Sequence, residues 1–352
     1  MAANHSIASF SSFTHLADLA SARVGGRAIA TNDDFFAPMG NLLKPDPAIF
    51  VPGKFTPLGK WMDGWESRRR RTPGHDWCVI ALGIRGVVKG VDVDTSHFTG
   101  NFPSHCSIDG LDLSGGAPGL QTRGRTLDKK TCAREGAPWA PMLLKAPLAG
   151  NSHNLFAMDV EQPWTHLRLN IIPDGGVARL RVHGEAEIDW ARLARSKKSI
   201  DLVSIMNGGL VLGASDMHFG AKDNLIMPGR AKNMGDGWET RRRRGPGFDW
   251  AIVRLGAAGI VKKVEIDTNH FKGNFPESAS IEACLAPGAP VEALSTSGAW
   301  IELLPRTKLR AHRRHLFSRE LRKAGTVSHV RLNIFPDGGI SRLRVHGIVA
   351  AR

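Results

Sequence analysis

Long blocks of this 352-residue chain occur twice, in the same order, and this duplication limits the folds that it can adopt. The segment DGWESRRRRTPGHDW (63–77) returns as DGWETRRRRGPGFDW (236–250), with 12 of 15 positions identical. The segment RLNIIPDGGVARLRVHG (168–184) returns as RLNIFPDGGISRLRVHG (331–347), with 14 of 17 identical. Solenoid repeats are typically about 20–50 residues long, and these copies are much longer. The duplication therefore predicts two homologous globular domains.

The spacing between matching blocks gives the limits of the two copies. The offset between matching positions of the two copies falls from 183 to 173 and then to 163 residues along the chain. The first copy therefore has two insertions of ten residues, one around PDPAIFVPGK and another within 111–147. We expect the first repeat at 20–186, a partly helical linker at 187–202 and the second repeat at 203–350.

Composition favours a turn-rich β fold. The chain has 39 Gly, 20 Pro and no Tyr, and its apolar residues alternate with polar ones over short runs between Gly/Pro turns. Such alternation is typical of half-buried strands. With no long helical period inside a copy, the sequence predicts an all-β chain of two jelly-roll β-sandwich domains in tandem.

The cysteines and the N-terminus indicate a cytoplasmic protein. The four cysteines form no C-x-x-C pair and do not repeat between the copies, so reduced thiols are favoured over a disulfide framework. No apolar stretch reaches the 18 or so residues of a membrane span. The N-terminal segment lacks the charged and apolar regions of a signal peptide. We expect no membrane partner.

The RLNIFPDGGISRLRVHG block is predicted to be a hairpin around Pro-Asp-Gly-Gly. The apolar side chains of its two strands would then face the core. The polar faces would be coplanar and would form one ladder, made by Arg331, Asn333, Arg342, Arg344 and His346. The first copy would repeat this ladder.

Each copy also contains a run of four arginines, Arg68–Arg71 and Arg241–Arg244. About half of such basic runs are simply a solvated or phosphate-binding face. Alternate side chains of an extended run point to opposite sides, and a covered arginine needs a carboxylate, for which Asp236, Glu239 and Asp249 are the local candidates. We expect about half of each run to be ion-paired and half to bind an anion.

A third repeated block, D-T-[SN]-H-F-x-G-N-F-P, carries one histidine and one asparagine in each copy: His97 and Asn101, then His270 and Asn274. A lone histidine is more often structural than catalytic. Repetition with an aspartate three residues earlier makes the two interpretations about equal, since histidine titrates near neutral pH and a carboxylate can fix its tautomer.

The chain carries a formal charge of +14, which raises the question of nucleic-acid binding. The positive charge lies in repeated strand motifs rather than in tails, and no nucleic-acid-binding motif is present. Nucleic acid is therefore the least favoured partner. No P-loop or dinucleotide fingerprint is visible, so no cofactor is expected. No ligand spacing requires a metal, and metal dependence stays open at the level of the sequence, since loop carbonyls and aspartates could still hold a structural cation.

The repeated motifs resemble those of the allantoicase family (allantoate amidinohydrolases). The resemblance rests on GWETRRRRGPGFDWAIVRLG, VEIDTNHFKGNFPES, RLNIFPDGGISRLRVHG and DDFFAPMGNLL, and it extends from about residue 24 to 349. It implies galactose-binding-like jelly rolls and hydrolysis of allantoate to ureidoglycolate and urea in allantoin degradation. It also implies a homo-oligomer.

Allantoate carries a carboxylate and two planar ureido groups on one carbon, which suits arginine forks and amide partners. We expect proton transfer by His97, His270, Asp236 and Glu239. The expected substrate-binding residues are the arginines and asparagines of the repeated motifs: Arg68, Arg70, Asn101, Arg241, Arg243, Asn274, Arg331, Asn333, Arg342 and Arg344. The alternative is a non-catalytic carbohydrate- or anion-binding jelly-roll module.

Overall fold

The computed structural model describes residues 13–114 and 138–350, and nearly all of their regular structure is β-strand. The chain divides into two units, Met1–Glu187 and Ile188–Arg352. None of the described helices is long and apolar enough to cross a membrane.

The described residues of the first unit form twelve strands. They are β1 (Ala17–Asp18), β2 (Arg27–Thr31), β3 (Phe55–Thr56), β4 (Gly59–Lys60), β5 (Trp65–Glu66), β6 (Asp76–Asp94), β7 (His105–Leu111), β8 (Ala140–Pro147), β9 (His153–Ala157), β10 (Pro163–Ile172), β11 (Gly176–Val177) and β12 (Arg179–Ala186). Short 3₁₀ turns occupy Ala22–Val24 and Met39–Leu43.

The 19-residue strand β6 belongs to two layers of this unit. Its first part pairs with β2 on one side and β10 on the other, and β10 continues through β7 to β8. Its last part pairs with β12 on one side and β9 on the other, and β12 continues to β1. All of these pairs are antiparallel, and the apolar side chains between the layers form the core.

The second unit repeats this plan, and two short helices are described within it. Its elements are α1 (Trp190–Ser196), β13 (Ile200–Asp201), β14 (Leu210–Ala214), β15 (Trp238–Glu239), β16 (Asp249–Asp267), β17 (Ser278–Cys284), α2 (Val291–Thr296), β18 (Ile301–Lys308), β19 (Arg314–Phe317), β20 (Thr326–Phe335), β21 (Gly339–Ile340) and β22 (Arg342–Val349), with 3₁₀ turns at Ile205–Asn207, Lys222–Ile226 and Met234–Asp236.

Strand β16 takes the place of β6 in the second unit. It pairs with β14 and β20 through its first part and with β19 and β22 through its last part. Both α1 and β13 lie in the segment 187–202 that was expected to join the repeats, and β13 pairs with β22. The prediction of two tandem jelly-roll sandwiches is confirmed.

The predicted hairpin is wrong. β20 and β22 are not neighbours, because β16 runs between them and pairs with each at a different part of its length. Ile252 of β16 lies opposite Arg331, whereas Asp267, fifteen residues further on, lies opposite Arg342. The short strand β21 pairs instead with β15. The arginines of the two strands therefore form two separate groups and not one ladder.

Candidate active site

Glu66 lies at a position fixed by a buried tryptophan. Trp65 is fully buried and its indole Nε1 donates to the carbonyl of Asp33 at 2.8 Å. The next side chain, Glu66, is half-buried, and Asn101 Nδ2 donates to its Oε1 at 2.6 Å. Burial raises the pKa of the Glu66 carboxyl, by more than the Asn101 hydrogen bond and the charge of Lys60 lower it. Glu66 is thus a carboxylate of increased basicity.

His97 lies in a turn of left-handed backbone, with φ of 69°. Its backbone N–H donates to Asn151 Oδ1 at 2.8 Å, and Phe98, the next residue, is fully buried. Its ring Nε2 lies 3.1 Å from the carbonyl oxygen of Ala48, which can only accept, so Nε2 carries the proton. Nδ1 is the ring nitrogen left for chemistry.

These two groups line one cleft of about 370 Å³ in the first unit. Its walls are formed by Phe36, Gly59, Lys60, Met62, Glu66, His97, Thr99, Gly100 and Asn101. The volume is within the range of small-molecule sites, which is roughly 300–1,000 Å³. A half-buried carboxylate of raised pKa, a histidine and a cation facing one concave space are typical of an active site.

The second unit contains the same contacts. Asn274 Nδ2 donates to Glu239 Oε1, and His270 Nε2 lies 2.9 Å from the carbonyl oxygen of Ala231. His270 also has φ of 69°, and its backbone N–H donates to His312 Nδ1 at 2.8 Å. Duplication has therefore preserved the geometry as well as the residue types.

The two constellations differ in what surrounds them. In the first unit, fourteen residues (49–62) lie between Ala48, whose carbonyl contacts His97, and Asp63. They include the small hairpin of β3 and β4. Only four residues, 232–235, occupy the matching interval of the second unit. The first insertion inferred from the sequence thus forms one wall of the cleft. The other insertion falls largely on 115–137, outside the described residues.

In both runs, the arginines that were expected to bind substrate contact aspartates of the chain. Arg70 contacts the buried Asp76 at 2.6 Å, and Arg243 contacts Asp249, the carboxylate expected for it. Arg68 is largely exposed and reaches Asp33 at 2.7 Å. Arg241 is also exposed and lies 3.6 Å from Asp216.

Arg342 is almost fully buried and binds Asp236, the carboxylate expected to be catalytic. Its NH2 donates to Asp236 Oδ2 at 3.0 Å and its NH1 to the Asp236 carbonyl at 2.5 Å. Arg344 donates to the carbonyls of Met227 and Gly229. These contacts favour structural roles for Asp236 and both arginines, whose catalytic and binding roles stay predictions.

Arg331 and Asn333 lie elsewhere in the second unit, on the strand pair β20–β17. Arg331 Nε donates to Glu282 Oε2 at 2.8 Å, and Asn333 Nδ2 donates to the same oxygen at 2.8 Å. Trp300 lies under the guanidinium, 5.0 Å from ring centroid to Cζ. The structure therefore does not bring this pair together with Arg342 and Arg344.

Sequence reasoning missed the two charged residues of the cleft to which functional roles are assigned below, Glu66 and Lys60. Glu66 could have been found, because it occupies the repeat position of Glu239. Lys60 lies in the insertion, which has no counterpart in the second copy, so the repeat gave no signal for it. Among the described residues no group of three or more His, Cys, Asp or Glu is placed to hold a metal ion.

Comparison with known proteins identifies the family. The family model described as the allantoicase repeat matches residues 17–187 and 200–350. A probable allantoicase 1 of Burkholderia mallei is 50% identical over 331 residues, which cover 94% of each chain. A probable allantoicase of Pseudomonas paraeruginosa is 50% identical over 338 residues, covering 95% of this chain and 96% of the relative.

A solved structure agrees with these matches. The crystal structure of allantoicase from Saccharomyces cerevisiae superposes with a TM-score of 0.78 at 34% identity, covering 94% of this chain and 92% of that one. The duplicated motifs, the tandem jelly rolls and these matches lead to one conclusion: the chain belongs to the allantoicase family.

Proposed function

We propose that the cleft of Glu66, His97 and Asn101 is where this chain performs its reaction, the hydrolysis of allantoate to ureidoglycolate and urea. The reaction breaks one C–N bond at the carbon that carries both ureido groups and forms a C–O bond there. The attacking water must lose a proton, and the departing nitrogen must gain one. A site for this reaction therefore needs a base and an acid facing the same carbon.

Glu66 is the base in this proposal. Its burial raises the pKa of the carboxyl and so increases its basicity, while the Asn101 hydrogen bond holds it in place. This desolvated, hydrogen-bonded carboxylate in a cleft is the observation that carries the assignment. Water held by Glu66 would attack the carbon as its proton passes to the carboxylate.

His97 supplies the proton to the leaving nitrogen. Because Nε2 is held by the Ala48 carbonyl, proton transfer takes place at Nδ1. The left-handed turn and the Asn151 contact orient the ring without a carboxylate partner among the described residues. His97 therefore begins the reaction as the imidazolium and ends it neutral, with the Nε2 proton unchanged. After urea leaves, Glu66 releases the proton of the attacking water to solvent and His97 Nδ1 takes one proton from solvent, which restores the starting state.

The experiment compares the two matching glutamates. Urea release from allantoate is followed for the wild type, Glu66→Gln and Glu239→Gln, with the exposed Glu161→Gln as control. We expect about a 10²- to 10⁴-fold lower kcat for Glu66→Gln, the range for loss of one general base. Full activity of Glu66→Gln together with inactive Glu239→Gln would move the reaction to the second unit.

Two further properties are part of the proposal. Cys106 and Cys284 are buried and form no disulfide among the described residues, which suits a reducing, cytoplasmic compartment. Large apolar side chains such as Leu144 and Leu285 are exposed by 76% and 57%, which suits assembly into a homo-oligomer. Light scattering of the purified protein would give the mass of the assembly.

A further inference from the structure

Lys60 is a cation on the wall of the cleft, at the end of strand β4. Its Nζ lies 4.6 Å from the centroid of the Phe50 ring, and the same ring stacks on His97 with centroids 5.9 Å apart. Its charge acts on Glu66 and lowers the pKa of that carboxyl. No ion pair joins Lys60 to a carboxylate within residues 13–114 and 138–350.

We propose that Lys60 binds the substrate carboxylate and makes the first unit selective for ureido acids over neutral diureides. The inference rests on the proposed function, because it assumes that the substrate occupies this cleft. It adds the residue that recognises the one charged group of the substrate.

The arginines first expected to bind the carboxylate are engaged elsewhere. Arg243, Arg331 and Arg342 each contact an internal carboxylate. Releasing one of them toward a ligand would leave that carboxylate without its cation, which is costly where the group is buried. Lys60 has no such bond to break.

The hairpin that carries Lys60 holds it in a defined position. Phe55 pairs with Lys60 across β3 and β4, and Thr56 Oγ1 donates to the Gly59 carbonyl at 3.2 Å. Gly59 has φ of 141°, a backbone conformation that glycine adopts without strain. The ammonium group lies over the face of the Phe50 ring, a cation–π contact that favours this position of the side chain. An ammonium group placed in this way can donate hydrogen bonds to a carboxylate with little loss of side-chain freedom.

The position also suits the geometry of the reaction. In allantoate the carboxylate is attached to the carbon that is attacked, so fixing the carboxylate fixes that carbon. Lys60, Glu66 and His97 line the same cleft, so one bound substrate can reach all three. The matching interval of the second unit, Lys232–Gly235, is ten residues shorter and too short for the β3–β4 hairpin; its one lysine, Lys232, directly follows Ala231 instead of lying three residues before the aspartate as Lys60 does.

A matched control lies on the same hairpin. Lys54 Nζ lies 3.7 Å from the centroid of the Trp61 ring and is absent from the cleft wall. Lys54→Met therefore removes the same charge and a similar cation–π contact from the same insertion. Any effect confined to Lys60→Met belongs to the position in the cleft and not to the net charge or the hairpin.

The experiment measures KM and kcat for allantoate, and the inhibition constant of diureidomethane, which has both ureido groups and no carboxylate. For Lys60→Met we expect about a 10- to 100-fold higher KM for allantoate, as for loss of a charge-assisted hydrogen bond. The inhibition constant of diureidomethane should stay within about twofold of that of the wild type. Lys60→Arg should recover part of the loss, and Lys54→Met should behave as wild type.

The outcomes separate this inference from the proposed function. A Lys60→Met enzyme with unchanged KM for allantoate overturns the inference even if Glu66→Gln is inactive. A raised KM confined to allantoate supports it even if Glu66→Gln stays active, in which case only the role of Glu66 fails. Equal weakening of allantoate and diureidomethane also overturns it, because it indicates damage to the cleft; thermal melting of each variant shows whether the fold is intact.

Discussion

At the scale of single residues, the Glu66–Asn101 hydrogen bond links burial to the pH dependence of the reaction. Burial raises the pKa of Glu66 and the Asn101 bond lowers it. A base works when ionised, so activity falls as pH drops through this pKa. Asn101→Ala removes a bond to the ionised form and should move the acidic limb of the kcat/KM profile to higher pH.

The matched variant in the second unit is Asn274→Ala, which removes the equivalent bond to Glu239. It should leave the acidic limb where it is in the wild type. A limb that moves in Asn274→Ala and not in Asn101→Ala would assign the titrating carboxylate to the second unit.

Arg342 should matter for folding and not for substrate affinity. It is 3% exposed and holds Asp236 by both the side chain and the backbone carbonyl. Arg342→Met leaves a largely covered carboxylate and three backbone carbonyls without this donor, at a cost of about 3–5 kcal/mol of unfolding free energy. Chemical denaturation measures this cost. The exposed Arg242→Met should change stability by less than about 0.5 kcal/mol.

One ion pair differs between the units in its response to pH. His153 Nδ1 lies 2.7 Å from Asp92 in the first unit, and Arg314 binds Glu265 in the second. The hydrogen bond to Asp92 raises the pKa of His153, while burial raises the pKa of Asp92. The stabilisation from His153 is therefore complete below about pH 6.5 and is lost as pH rises through its folded-state pKa.

His153→Arg keeps the positive charge at every pH. The free energy of unfolding of the variant should match that of the wild type near pH 6 and exceed it near pH 8.5, by at most about 1 kcal/mol because the His153 side chain is largely exposed. Melting temperatures at the two pH values measure the difference. As a control at an exposed position, His75→Arg should change the melting temperature by the same amount at both pH values. A change in melting temperature that is the same at both pH values in His153→Arg would contradict the pKa argument.

At the scale of elements, the sequence allowed the type of fold to be predicted but not the pairing of strands. Alternation correctly placed Leu343 and Val345 in the core, because side-chain period follows from the chain itself. It could not show that β16 is 19 residues long and passes between β20 and β22. That depends on contacts between distant residues, so the predicted hairpin and its ladder failed.

The same distinction applies to the candidate site. The sequence predicted five residues of the two constellations because duplication preserved them: His97, Asn101, Glu239, His270 and Asn274. Whether a repeated residue faces a cleft or holds the fold together is decided by its partners in space. The arginines show this, since the ion pairs of the fold use several of those that the pattern assigned to substrate.

The inserted hairpin is the element that distinguishes the first unit. Replacing residues 49–61 with the Lys-Asn-Met of 232–234 should preserve the core, because it keeps the buried Met62 and because the flanking Ala48 and Asp63 match Ala231 and Asp236. It removes Phe50 and Lys60 and opens the cleft. We expect kcat/KM for allantoate to fall about 10²-fold or more, as when substrate positioning is lost.

Steady-state kinetics with circular dichroism would test this replacement. Native circular dichroism with wild-type kcat/KM would show that the hairpin is not part of the site. An unfolded product would place its role in stability, and Lys60→Met together with Phe50→Ala would then test the cleft within the intact hairpin.

At the scale of the whole molecule, fewer of the positive charges are available to bind nucleic acid than the net charge of +14 suggests. Arg70 and Arg243 each contact an aspartate that is at most 2% exposed, and Arg179 contacts Asp63 at 2.6 Å within the first unit. A phosphate backbone could bind such arginines only by displacing their carboxylates. Binding to nucleic acid is driven by release of counterions from phosphates that basic side chains neutralise.

We therefore expect no specific complex with DNA or RNA. Gel-shift measurements at 50 mM and 150 mM salt should show at most weak retention of the wild type at the lower concentration and none at the higher, since non-specific binding is roughly 10⁻⁴–10⁻⁶ M at physiological salt. Neutralising the exposed Arg69 and Arg71 should abolish the residual binding without changing KM for allantoate. Nanomolar binding that persists at 150 mM salt would contradict this expectation and would make the charge a functional surface.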